Sequence, residues 1–246
     1  LLLFLGIMLY RSSRKHKQKV KDEAEIRSLR KEDIGTVTDM ITESSAQISK
    51  VFRKTSALYS NLIDNLSLQD LAKLKENKKD QKKLEKEIDE LKSNVFYFIK
   101  NLDDNSVEAS KFYILILGYL QDMVQSIDFI TANSYSHVAN NHKQLKFNQI
   151  RDLKTIDKQL QHLLQLLEDS FKSEDFYRID LILNDKEILL ETVSELISKQ
   201  IKRIRTTETS PKNSKLYFAL LLETNDLVKS IMNLLELFKE FNKLNK

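Results

Sequence analysis

Only three glycines (Gly6, Gly35, Gly118) and one proline (Pro211) occur in 246 residues. These are the residue types that let a backbone reverse sharply or adopt positive φ. A β-rich or α/β chain of this size needs many such turns. A chain that lacks them must fold as a few long elements with short connections. Leu, Lys, Glu, Gln and Asp recur throughout, and 31% of residues are charged, which is the composition of helices with solvated outer faces. The expectation is an all-α fold. There is no cysteine, which removes disulfides and thiolate metal sites from consideration.

The net charge of +4 is concentrated. Arg11, Arg14, Lys15, Lys17, Lys19 and Lys21 follow one another with no acid between them, and the remainder is close to neutral. That pattern argues for one local basic segment rather than a nucleic-acid-binding surface. The segment follows an apolar run from Leu1 to Tyr10. Ten residues are too few to span a bilayer, which takes about 20. An interfacial aromatic followed by Lys/Arg marks the cytoplasmic end of a transmembrane helix, whereas a signal peptide carries its positive charge before the apolar run. Residues 1–10 are therefore read as the end of a transmembrane helix, residue 1 as a cut, and residues 11–246 as lying on the cytoplasmic side of a cell inner membrane. Two roles stay open for the six cations: membrane-surface contact with anionic lipid, or topology alone.

Apolar spacing at steps of three and four predicts six long helices after a basic neck and linker helix at 11–32. The first carries Ile34, Val37, Met40, Ile48, Phe52, Leu58 and Leu62. Ser67-Leu68-Gln69-Asp70 resembles a capping box and starts the second. The all-polar stretch Lys75 to Lys83 is expected to project past the core or fray before Leu84, Ile88 and Leu91 resume the pattern. Asp103 to Ser106 supplies an N-cap for a third helix from about Val107 to Asn140. The second half repeats the plan: a stripe from Ile150 to Phe171, a helix beginning at Ser173 and including Phe176, and a last helix introduced by Ser210-Pro211 and ending near Leu244. The expected organisation is two three-helix bundles, 33–142 and 143–246.

An internal repeat supports the two halves. Residues 110–127 (SKFYILILGYLQDMVQSI) and 214–231 (SKLYFALLLETNDLVKSI) align at an offset of 104 without a gap. Ser110/Ser214, Lys111/Lys215, Tyr113/Tyr217, Asp122/Asp226, Val124/Val228 and Ser126/Ser230 are among the identities. Helical periodicity alone would match only the apolar positions. Each copy also places Asp and Ser four apart, hence on one helix face: Asp122 with Ser126, Asp226 with Ser230. With carboxylates from another helix such a pair can hold a divalent metal, though a Ser hydroxyl is a poor ligand. The alternative is a structural Asp that pairs with a lysine or caps a neighbour.

Two three-helix repeats with an acidic i,i+4 motif in each third helix resemble the PhoU family of phosphate-signalling proteins. There the third helix reads roughly L-E-R-x-x-D, with both acids facing a multinuclear metal site. Here Asp122 and Asp226 keep the first acid, while Ser126 and Ser230 replace the second. Asp185 falls where the family often has a second-helix acid. The similarity covers about residues 33–246, and its departures bear on the metal clusters rather than on the fold. PhoU-like domains also occur fused to phosphate transporters, including PiT-type permeases and sodium–phosphate cotransporters. The resemblance therefore implies a cytoplasmic regulatory domain of a bacterial inorganic phosphate transporter, PiT-type first. The implied partners are the transporter's own membrane part, anionic lipid and a second copy of the chain. A divalent metal is the one candidate cofactor.

No P-loop, G-x-G-x-x-G, H-E-x-x-H or G-x-S-x-G motif occurs. His137 and His142 are five apart and do not share a helix face well, and the aromatics lie at core spacing rather than forming a base-stacking platform. An enzyme is not expected. The competing reading is a helical dimerisation or signalling module of a membrane receptor, which should show sustained heptads and no 104-residue duplication.

Overall fold

The computed structural model describes residues 33–100, 107–175, 179–206 and 210–244. The expected transmembrane end, the basic segment and the Asp103–Ser106 cap lie outside these residues. Among the described residues there are six helices and no strand: α1 Asp33–Ser67, α2 Leu71–Lys100, α3 Val107–Ala139, α4 Phe147–Ser173, α5 Ile179–Thr206 and α6 Pro211–Leu244. None is long and apolar enough to cross a membrane.

Scarce glycine leaves a mark at the helix ends. Among the described residues, the three non-glycine residues with positive φ, Gln69, Asn141 and Glu174, each follow a helix C-terminus. This is the position where glycine is usual, because a Cβ costs energy there. At the end of α1, the Asp70 amide donates to the Asn65 carbonyl at 3.0 Å and the Gln69 amide to Leu66 at 3.2 Å, the pattern of a Schellman turn. The same pair of bonds recurs at the end of α3 from His142 to His137 and from Asn141 to Val138.

Three expectations need correction. Asp70, not Ser67, caps α2: its Oδ1 accepts the Lys73 amide at 3.0 Å, while the Ser67 hydroxyl donates back to Asp64 as the last residue of α1. Ser173 likewise ends α4, donating to the Asp169 carbonyl, rather than starting α5; Phe176 lies outside the described residues. Finally, the polar stretch of α2 neither frays nor projects. Leu74, Asn77, Gln81, Leu84 and Ile88 continue one buried stripe, with amides standing where the spacing calls for apolar residues. Asn77 accepts a hydrogen bond from Asn65 of α1 at 2.7 Å.

Side-chain pairs fix the helix directions. Lys54 with Glu87 and Asn65 with Asn77 set α1 against α2. Lys82 near Asp128 and Lys78 over the Tyr135 ring set α2 against α3. Both pairs are antiparallel, so α3 runs with α1. In the second half, Gln159 with Thr192 and Asp152 with Arg203 make α4 and α5 antiparallel. Tyr217 on Asp152 and Phe238 on Phe171 make α6 parallel to α4. Across the halves, Phe52 meets Phe171 while Lys154 pairs with Asp64, so α1 and α4 are antiparallel.

The broadest contacts are α3 with α6, α1 with α4, and α2 with α3. Helices α1, α2 and α3 all touch one another, whereas α5 touches α4 and α6, which meet each other mainly through long side chains. One continuous cluster of buried apolar side chains draws on all six helices. Each fully buried Leu, Ile or Phe contributes roughly 1.5–3 kcal/mol against the entropy of ordering the chain.

The repeated segments occupy matching places in their helices. The two third helices begin at Val107 and Pro211, themselves 104 apart. Ser110/Ser214, Ile116/Leu220, Leu117/Leu221, Leu120/Thr224, Met123/Leu227, Val124/Val228, Ser126/Ser230 and Ile127/Ile231 are buried in both copies. Tyr113/Tyr217 differs, half-buried in α3 and fully buried in α6, and so does Tyr119/Glu223, buried in α3 and half-buried in α6.

Candidate functional site

The residues singled out as metal ligands lie on α3, α5 and α6. Asp226 is half-buried near Lys229, at 4.0 Å, and the Ser230 hydroxyl donates to the Asp226 carbonyl at 3.0 Å. That bond satisfies the hydroxyl within its own helix, as serine does in helix interiors. Asp122 is half-buried on α3 and Ser126 is buried one turn on. Asp185 of α5 instead contacts His162 Nδ1 of α4 at 2.7 Å. Among the described residues, no group of three or more His, Cys, Asp or Glu side chains could hold a metal ion. Arg11, Arg14, Lys15, Lys17, Lys19 and Lys21 lie outside the described residues.

What the fold does assemble is polar and lies on α4. On the face toward α1, an open recess of about 330 Å³ is lined by Arg53, Ser60, Asn61, Gln161, Gln165 and Glu168, among others. Behind its lining residues the buried Asp157 accepts from Ser60 Oγ at 3.2 Å and from Gln161 Nε2 at 3.0 Å. Gln161 Nε2 also donates to Ser60 Oγ at 3.0 Å. Glu168, buried but for its edge, takes Lys172 at 2.6 Å. The recess offers amide and hydroxyl groups and one guanidinium. It can form hydrogen bonds with a small polar molecule, and of its two serines Ser60 faces a carboxylate and an amide rather than an imidazole.

On the face toward α5 and α6, the buried Asp152 accepts from Arg203 Nη2 at 2.8 Å, Tyr217 Oη at 3.2 Å and Lys199 Nζ at 3.3 Å. Burial, reinforced by the charge of Asp152, pushes the Tyr217 phenol well above its ordinary value. Next to this cluster the buried Gln200 accepts from Gln149 and Arg203 and donates to Ser214 at 3.1 Å. The network ties three helix ends together. The sequence held one signal for it: Asp152 interrupts an otherwise apolar stripe beside Leu153 and Ile156.

A third polar link joins the halves at the centre. Tyr59 of α1 and Thr224 of α6 are 2.7 Å apart and buried. Thr224 gives its own proton to the Leu220 carbonyl, so the Tyr59 hydroxyl is the donor. Burial raises the Tyr59 phenol far above its usual value, and the phenol stays protonated.

Compared with known protein families, curated proteins and solved structures, the chain matches none.

Proposed function

We propose that this chain is a PhoU-like, non-catalytic regulatory module of two repeated three-helix units, attached to a membrane transporter for inorganic phosphate and acting on phosphate uptake. The observation that carries the reading is the repeat itself: two third helices that start 104 residues apart and bury the same positions. The directions of the helices support it. Each half runs up, down and up, and α1 lies antiparallel to α4, the arrangement a twofold between two copies of one unit would produce. A duplicated bundle with no nucleophile–base pair among the described residues suits binding and transmission better than turnover. The link to phosphate, and the place at the cytoplasmic side of an inner membrane, rest on the resemblance and on the apolar-then-basic order of residues 1–21.

The test is transport in the native cell. Residues 33–246 are deleted from the gene, and uptake of radiolabelled phosphate is followed in phosphate-rich and phosphate-starved cultures. The proposal expects uptake to lose its dependence on phosphate supply. Unchanged phosphate uptake in both cultures, with the truncated protein still present in the membrane, would contradict it.

A further inference from the structure

The turns α1–α2, α3–α4 and α5–α6 lie at one end of the molecule and are fastened there through one residue. Gln144, in the α3–α4 connection, donates to the Ser67 carbonyl at the end of α1 at 2.6 Å. Its own carbonyl accepts from Asn213 at the start of α6 at 2.7 Å. The charge at this end is one-sided. Segments 143–158, 199–206 and 210–215 carry lysine and arginine in large excess over their only acids, Asp152 and Asp157, with Glu208 in the connection between the last two. Asp152 and Asp157 are buried and engaged within the protein. Lys143, Arg151, Arg205, Lys212 and Lys215 are all exposed. Of the other carboxylates at this end, Asp64 is occupied by Lys154 and Asp70 by the α2 cap and Lys73, while Glu76 of α2 is exposed.

Apolar side chains protrude among these cations. Phe147, the first residue of α4, is 81% exposed, and Leu68 in the α1–α2 turn is 69% exposed. A large side chain held this far out on a convex turn contributes nothing to the core. Exposed single apolar residues are ordinary on a protein surface, but two in neighbouring turns, at an end that also carries exposed cations, are the arrangement of an interfacial anchor: apolar groups enter the acyl boundary while Lys and Arg meet anionic headgroups. A nucleic acid would use the cations but has no use for an aliphatic tip, and an acidic protein would have to supply pockets for convex knobs.

We propose that this end of the molecule docks on an anionic lipid surface, with Phe147 and Leu68 as the inserted tips. The proposal is independent of the apolar segment at residues 1–10, because α1 enters the fold at its opposite end.

The chain contains no tryptophan, so Phe147→Trp in the full chain gives a single reporter. Leu181→Trp, on an exposed residue of α5 at the other end, gives the control. Both are titrated with vesicles of phosphatidylcholine alone or mixed with phosphatidylglycerol, with and without brominated acyl chains. The expected result is a blue shift and bromine quenching at position 147 on the mixed vesicles only, with position 181 unmoved. Lys143→Gln/Lys212→Gln/Lys215→Gln in the Phe147→Trp background should weaken that response at least about tenfold. Protein that sediments with vesicles while the position-147 reporter stays water-like overturns the proposal and leaves the membrane attachment of residues 1–32 standing. Equal responses at 147 and 181, or a blue shift at 147 produced by concentrating the protein or adding a nucleic acid without vesicles, also overturn it.

Discussion

Asp152 is a carboxylate held inside the protein by three donors, and its removal should be felt as the loss of an anion rather than of a contact. Arg203, its nearest partner, is itself mostly buried. Asp152→Ala would leave that guanidinium without a counter-charge, a cost of about 2–4 kcal/mol by the behaviour of broken buried pairs. Lys199 is half exposed and adds little. Urea unfolding should show the lower midpoint, and an unchanged midpoint would mean that the network is not formed. Tyr59→Phe removes only the donor to Thr224 and should cost about 1 kcal/mol. His137 gives a pH signature. Burial lowers its imidazole below the ordinary 6.5, and the His142 charge acts in the same direction, while the bond from Nε2 to the Lys143 carbonyl at 2.9 Å opposes both. The unfolded chain therefore takes up this proton at a higher pH than the folded one. Stability is complete above about pH 6.5 and falls as the pH drops through and below that value. His137→Gln should flatten the dependence of the unfolding midpoint between neutral and mildly acid pH. A slope identical to that of the parent would rule His137 out as its source.

Among the helices, the ends show most clearly how composition shapes structure. A chain with three glycines caps α1 and α4 with Gln69 and Glu174 in the left-handed region. Replacing either with glycine should raise stability by about 0.5–1 kcal/mol, read as a higher thermal midpoint, because the Cβ penalty is removed. The long helices themselves were legible in the sequence, since Leu, Ile and Phe recur at steps that only a helix can place on one side. The start of α6 was legible from Ser210-Pro211. The continuity of α2 was not, because Asn77 and Gln81 hide its stripe from any hydrophobic pattern. No described protein group bonds the Gln81 amide, so Gln81→Met should be neutral to stabilising by up to about 1 kcal/mol, as expected when an amide gives way to an apolar side chain of similar size. The polar clusters on α4 were equally hidden. Asp152, Arg203 and Tyr217 come from three helices and meet only through tertiary packing, so no local spacing announces them. The acids that did stand out, Asp122, Asp226 and Asp185, drew notice through their spacing and the family resemblance, and Asp185 turns out to face His162.

At the scale of the whole molecule, the two halves share one core. Phe171 of α4 stacks edge-on against Phe52 of α1 at 5.2 Å and Phe238 of α6 at 4.6 Å, so it joins helices from both halves of the sequence. The account stands or falls on whether those units are two copies of one design. The chain has no cysteine, so two engineered cysteines can be spin-labelled cleanly. The direct measurement is a pair of electron–electron distances across α3 and α6: one between Gln125→Cys and Lys215→Cys, the other between Lys111→Cys and Lys229→Cys. A twofold that exchanges residues 104 apart makes these two pairs equivalent, so the account predicts matching mean distances. Two clearly different distances would show that the repeated helices do not face each other as copies, and would contradict it.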